Sequence, residues 1–157
     1  MKKLVYIIIA FWIALAAGTT LYNEMILQNG TEILLKVKPV DPRDLLRGDY
    51  VELHYEINTL PENMKVEYRE CEVYVTLSEQ ADKTYKISNV GFEIPKNKIF
   101  LKGELYGKRI YYPGIEKYFI KEGKGKEIEK KLQNGGIVKI SAGKNGYARI
   151  KTIITDW

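Results

Sequence analysis

From Leu4 to Tyr22 no residue is charged, and Leu, Val, Ile, Phe, Trp and Ala dominate those 19 positions. At about 1.5 Å of rise per residue the run is roughly 28 Å long, close to the ~30 Å of a bilayer's hydrocarbon core, so it predicts a membrane-spanning helix. Past Tyr22 the period changes to two, the alternation of half-buried strands. Ile33, Leu35 and Val37 alternate with Glu32, Leu34, Lys36 and Lys38. Val51, Leu53, Tyr55 and Ile57 alternate with Tyr50, Glu52, His54 and Glu56, which places His54 on a solvent-facing side. The same pattern returns over 71–77, 85–94, 99–105, 138–142 and 148–154, giving about seven strands.

Turn residues separate these runs: Leu60-Pro61-Glu62-Asn63, Ile94-Pro95-Lys96-Asn97, Tyr106-Gly107-Lys108, Pro113-Gly114 and Lys144-Asn145-Gly146, the last a strong hairpin signal. One short helix is predicted from about Lys124 to Gln133. Ile128 and Leu132 share a face, Glu127 stands four residues before Lys131, and Asn134-Gly135-Gly136 stops it. The expected architecture is a β-rich α+β protein. It has a transmembrane helix at 1–22, then a single domain at 23–157 built on a curved or partly closed antiparallel sheet with one short helix.

Lys2 and Lys3 precede the span, and the only charges over 23–35 are Glu24 and Glu32. The positive-inside tendency therefore keeps the N-terminus cytoplasmic and sends the remainder outside, as a single-pass protein of the cell membrane. Ala14-Leu15-Ala16 also has the small-x-small form of a signal-peptide cleavage site, but the apolar run is long enough to span and is read as an uncleaved anchor. The net charge of +5 falls to +3 without Lys2 and Lys3, because all 20 acids lie after Tyr22, and that is too small to imply nucleic acid. With a single cysteine, Cys71, and a single histidine, His54, neither an intramolecular disulfide nor a zinc cage of the usual ligands can be assembled. Cys71 alternates with Val73, Val75 and Leu77 and reads as a core residue. No cofactor is implied.

The densest cluster of chemistry-bearing residues is Pro39-Val40-Asp41-Pro42-Arg43-Asp44-Leu45-Leu46-Arg47-Gly48-Asp49-Tyr50. Two prolines stiffen this connection and hold its charges in set directions. Asp41, Arg43, Asp44, Arg47 and Asp49 can lock the loop internally through ion pairs and Asx turns, or present a binding edge that ends at Tyr50. A second candidate segment is Lys121-Glu122-Gly123-Lys124-Gly125-Lys126, where Glu122 is expected to pair with Arg43 or Arg47 and join the two into one patch. The Gly-Lys spacing there lacks the full phosphate-loop pattern.

Gly48-Asp49-Tyr50-Val51-Glu52-Leu53-His54-Tyr55, with Asp41-Pro42-Arg43-Asp44-Leu45-Leu46-Arg47 leading into it, resembles the GDYXXLXY family of small membrane-anchored bacterial proteins. Tyr118-Phe119-Ile120-Lys121-Glu122-Gly123-Lys124-Gly125 is similar to a second family segment, with Lys121 where a proline is expected. The resemblance implies an anchored accessory to polytopic membrane proteins and no assigned chemistry.

Catalysis is the competing reading. A signal-peptidase type of mechanism needs a serine activated by lysine beside the anchor, and the serines are Ser78, Ser88 and Ser141, all far from it in sequence. Asp44, Asp49 and Glu122 could supply an acid and base for an envelope hydrolase, but carboxylates among arginines have lowered pKa values, the wrong direction for a general acid. The preferred reading is a noncatalytic interaction module. It is tethered to the lipid bilayer through residues 4–22 and docks on an integral membrane protein or envelope component through Asp41, Arg43, Asp44, Arg47, Asp49, Tyr50 and Glu122.

Overall fold

A computed structural model describes residues 2–38, 50–62, 64, 70–119, 128, 132 and 135–154. The chain opens with one helix, α1 (Lys2–Asn29), of 28 residues. Its apolar window is long enough to cross a membrane and has no residue buried against the rest of the molecule. Within it, the Thr19 and Thr20 hydroxyls both donate to the Ala16 carbonyl at 2.9 Å, so their hydrogen-bonding needs are met inside the helix.

The helix does not stop at Tyr22, where the sequence pattern placed the end of the anchor. It runs seven residues further, because the head holds that last section in place. The Asn145 side-chain amide donates to the Tyr22 hydroxyl. The Arg149 guanidinium donates twice to Asn23 Oδ1, at 2.6 and 3.1 Å, and the buried Ser141 hydroxyl donates to the Ile26 carbonyl at 2.6 Å. Ile26 itself is buried.

Nine strands follow among the described residues: β1 (Thr31–Val37), β2 (Tyr50–Glu52), β3 (Glu70–Glu79), β4 (Tyr85–Gly91), β5 (Phe100–Tyr106), β6 (Arg109–Tyr111), β7 (Lys117–Phe119), β8 (Gly136–Ala142) and β9 (Ala148–Ile154). They form three antiparallel sheets, ordered β1-β8-β9, β2-β7 and β4-β3-β5-β6. Register shifts at Thr76/Leu77 and Lys139/Ile140 bend the two larger sheets, and a curled half-barrel results. The β8–β9 hairpin turns at Gly143–Gly146, where Gly146 has φ +82°, a left-handed value that glycine adopts without steric cost.

The alternation read from the sequence is kept inside the fold. Ile33, Leu35, Val51, Leu53, Tyr55, Val73, Val75, Val138 and Ile140 have no exposed surface and belong to one continuous core. Several expectations are corrected. Val51–Ile57 does not form one strand: β2 ends at Glu52, Tyr55 makes a single bridge to Val37, and a 3₁₀ turn covers Glu56–Asn58. His54 is half-buried, with an Arg109 nitrogen 3.3 Å from its Nδ1, and is not a free surface residue. Cys71 is a half-buried free thiol packed against the core instead of within it. Ser88 lies within β4, and its hydroxyl donates to the Thr76 carbonyl at 3.1 Å.

Of the predicted short helix, Ile128 and Leu132 are described. Both are helical, Leu132 is fully buried and Ile128 packs against the core, as their four-residue spacing requires. Gly135, at φ +88°, donates its N–H to the Leu132 carbonyl at 2.9 Å, the geometry of a helix C-terminal stop.

Candidate functional site

The octapeptide at 48–55 serves two purposes, and the structure separates them. Val51, Leu53 and Tyr55 point into the core. The Tyr55 hydroxyl donates to the Ile115 carbonyl at 2.6 Å, and the Tyr55 N–H donates to Asn58 Oδ1 at 2.5 Å. This half of the motif is structural: a large ring fills the interior while the Tyr55 hydroxyl and backbone N–H tie down neighbouring turns. Tyr50 faces the other way. On the β2–β7 ribbon it pairs with Phe119, ring centroids 6.0 Å apart, and the Lys117 ammonium lies 5.3 Å from the Tyr50 centroid. Phe119 is 76% exposed.

Beside this aromatic pair a groove of about 530 Å³ opens toward the helix, lined by Leu27, Tyr118, Phe119, Arg149 and Ile150. Arg149 is shared between the groove and the Asn23 clamp, so the groove sits where the sheets meet α1. Asp41, Arg43, Asp44, Arg47, Asp49 and Glu122 lie outside the described residues, as does the proposed pairing of Glu122 with Arg43 or Arg47. Tyr50 is the described member of that set.

A second constellation was not legible from sequence. Glu116 is 2% exposed, and it sits at the centre of a closed hydrogen-bond network. Its Oε1 accepts from Asn58 Nδ2 at 2.6 Å and from the Tyr112 N–H at 3.0 Å, and its Oε2 accepts from Arg109 at 3.3 Å. Asn58 Nδ2 also donates to the Ile110 carbonyl at 2.7 Å, and the Tyr112 hydroxyl donates to the Ile57 carbonyl at 2.9 Å. The Glu116 carbonyl in turn accepts from the Leu53 N–H at 2.8 Å, which links this network to the 48–55 motif. No described buried side-chain polar atom lacks a partner.

Burial pushes the Glu116 carboxyl above its ordinary value of 4.5, against the lowering effect of the Tyr112 N–H, Arg109 and Asn58. Burial also raises the Tyr55 and Tyr112 phenols well above 10, with the nearby Glu116 charge adding to the effect. A carboxyl whose folded pKa is raised stabilises the fold in full below its unfolded value, and loses that contribution as pH climbs through the folded one. Glu116→Gln keeps an oxygen for Asn58 and the Tyr112 N–H and never ionises. The unfolding midpoint of the glutamine variant should therefore rise relative to the parent over the pH range that begins near the ordinary carboxyl value of 4.5 and runs upward. Parallel thermal-unfolding curves across that range, with a constant difference, would show that Glu116 does not titrate there. Among the described residues no group of three or more His, Cys, Asp or Glu is placed to hold a metal ion.

The two halves of the octapeptide thus occupy a core anchor point and an outward ribbon, and a family model for the GDYXXLXY protein matches residues 12–153. The chain belongs to the GDYXXLXY family. The match takes in most of the apolar helix and all of the sheet region but its last residue, Ile154. No curated protein and no solved structure matches the chain. In this family member the Leu and second Tyr of the signature are Leu53 and Tyr55, both fully buried, so those two positions specify the fold, whereas the first Tyr, Tyr50, is half-buried on the ribbon beside the exposed Phe119.

Proposed function

We propose that this GDYXXLXY protein is a membrane-anchored, extracytoplasmic, noncatalytic interaction module that docks on an integral membrane protein. The observation that carries the reading is the exposed Phe119 beside Tyr50, on a ribbon whose neighbouring groove includes Leu27 of the anchor helix. Exposed aromatics are favoured contact residues, because they offer large area at low cost in side-chain entropy. A groove shared with the helix faces the space that the part of a membrane protein just outside the bilayer would occupy. Confinement to the membrane raises the effective concentration of such a partner, so a small contact surface suffices.

Orientation rests on Lys2 and Lys3, which favour a cytoplasmic N-terminus. The loop residues Asp41, Arg43, Asp44, Arg47 and Asp49, which lead into Tyr50, together with Glu122, complete the proposed docking edge, with arginine forks reading a partner carboxylate.

The test is capture from native membranes with a photo-crosslinking residue in place of Phe119. A discrete integral membrane partner is expected. Arg43→Glu and Arg47→Glu should each reduce capture roughly ten- to a hundredfold, the loss of one charge-assisted contact worth about 1.5–3 kcal/mol. Asp44→Asn, Asp49→Asn and Glu122→Gln abolishing a hydrolytic activity, with no crosslinked chain, would replace this reading by the envelope hydrolase.

A further inference from the structure

The anchor and the head are not joined by a loose tether. Gly30 alone separates the end of α1 from the start of β1, and the β8–β9 hairpin folds back along the helix. Its contacts descend the helix in order: Ser141 at Ile26, Asn145 at Tyr22. Tyr22 closes the apolar run and Asn29 stands seven residues, or about 10 Å, beyond it. The polar layer on each side of a ~30 Å hydrocarbon core is roughly 5–8 Å deep. A hairpin tip at the level of Tyr22 therefore lies at headgroup depth when residues 4–22 span the bilayer.

A groove of about 500 Å³ runs from this tip, at Gly143 and Lys144, past Asn29 and Thr31, to Ile94, Pro95 and Lys98 of the β4–β5 loop. Ile94 is 61% exposed and Phe92 52% exposed, and Lys96, Lys98 and Lys144 are all exposed. Charged side chains over 92–98 and 143–146 are these three lysines and Glu93, so the patch carries a positive excess around apolar tips. Glu24, on the adjoining part of the helix, accepts a hydrogen bond from Gln28 at 2.7 Å.

Apolar side chains ringed by lysines, on a groove that begins at a hairpin tip of headgroup depth, have the chemistry of an interfacial membrane contact. The rings and aliphatic tips enter the headgroup–acyl boundary while the ammonium groups meet lipid phosphates. We propose that the β4–β5 loop, through Phe92 and Ile94, and the β8–β9 tip, through Lys144, form a second membrane contact that seats the head on an anionic leaflet beside its own anchor. Such seating fixes the rotation of the head about the helix, which a single span does not determine, and so directs the Phe119 face along the membrane plane. The proposal rests on residues 4–22 crossing the bilayer and not on the protein partner, so it stands or falls separately from crosslink capture.

The test uses the full chain in vesicles of phosphatidylcholine with phosphatidylglycerol, in a Cys71→Ser background, with a nitroxide attached through Ile94→Cys. Lys86→Cys, exposed on β4 and outside the groove, serves as the aqueous reference. The label at 94 is expected to collide with oxygen in preference to a water-soluble nickel complex, and the label at 86 to show the reverse. Joint reversal of Lys96, Lys98 and Lys144 to Glu should return position 94 to aqueous behaviour while the thermal unfolding midpoint stays the same. An aqueous signature at 94 in the unreversed protein would overturn the contact. An unchanged lipid signature after the reversal, or in vesicles of phosphatidylcholine alone, would overturn the assignment to anionic headgroups.

Discussion

Tyr55→Ala is expected to destabilise the head by roughly 3–5 kcal/mol, enough to remove most of the stability of an ordinary domain. The side chain has no exposed surface, so its deletion leaves a cavity the size of a ring in the continuous core. It also removes the donor for the Ile115 carbonyl, 2.6 Å away and buried. Tyr55→Phe separates the two effects. It keeps the ring and loses the hydroxyl, and should cost about 1–2 kcal/mol. Both values are read from thermal or denaturant unfolding of the detergent-solubilised chain. Equal losses in the two variants would mean that the ring fills no space worth having, and that the last position of the octapeptide is kept for its hydroxyl alone. The Tyr55 N–H, bonded to Asn58 Oδ1, is untouched by either substitution, so the neighbouring turn should persist in the phenylalanine variant.

Gly30→Ala is the second large effect, and two terms of opposite sign compete in it. Alanine is favoured over glycine in helical backbone by up to about 1 kcal/mol, which would extend α1. A Cβ at position 30, however, would lie 2.3 Å from Ser141 Oγ, 2.6 Å from the Ile26 carbonyl oxygen and 2.9 Å from the Ala142 carbonyl oxygen. Two of those three atoms are backbone and cannot rotate away, so the junction must open. Overpacking of this kind costs about 1–3 kcal/mol and outweighs the helical gain.

Ser141→Ala alone should cost about 1 kcal/mol, by removing the hydrogen bond to the Ile26 carbonyl. The double variant should cost less than the sum of the two, because the serine oxygen is the nearest obstacle to the new methyl group. Unfolding midpoints give the energies, and limited proteolysis around 28–31 reports the opened junction. A Gly30→Ala protein as stable and as protease-resistant as the parent would show that helix and head are not clamped.

Several of these features were readable in the linear chain because they rest on local periodicity. An uncharged run of 19 residues needs no partner to be recognised as able to span a bilayer. Alternation of period two places Ile33, Leu35, Val73 and Val75 inside any sheet they join, since successive strand side chains leave on opposite faces. The Lys144-Asn145-Gly146 turn and the Gly135 stop are local backbone requirements, and both are met. The octapeptide is legible as a motif, and its Val51, Leu53 and Tyr55 are interior.

What was hidden depends on groups distant in sequence. β6 and β7 are three residues each, too short to show a period, and they exist because Leu105 and Val51 offer them partner strands. The last seven residues of α1 are helical against Arg149, Ser141 and Asn145, more than a hundred positions away. Glu116, between Ile115 and Lys117, carries no local sequence signal of burial. Its burial follows from Asn58, the Tyr112 N–H and Arg109 converging on one carboxylate, and no spacing rule connects residue 58 to residue 116.

The sequence by itself determined an uncharged helix over 4–22 long enough to cross a bilayer and half-buried strands where apolar residues alternate, because both are properties of individual side chains and their nearest neighbours. Only the tertiary structure decided that the helix end is hydrogen-bonded to the head, that an acid is buried, and which face of the ribbon is left open. Those outcomes depend on which distant donors and surfaces meet when the core closes.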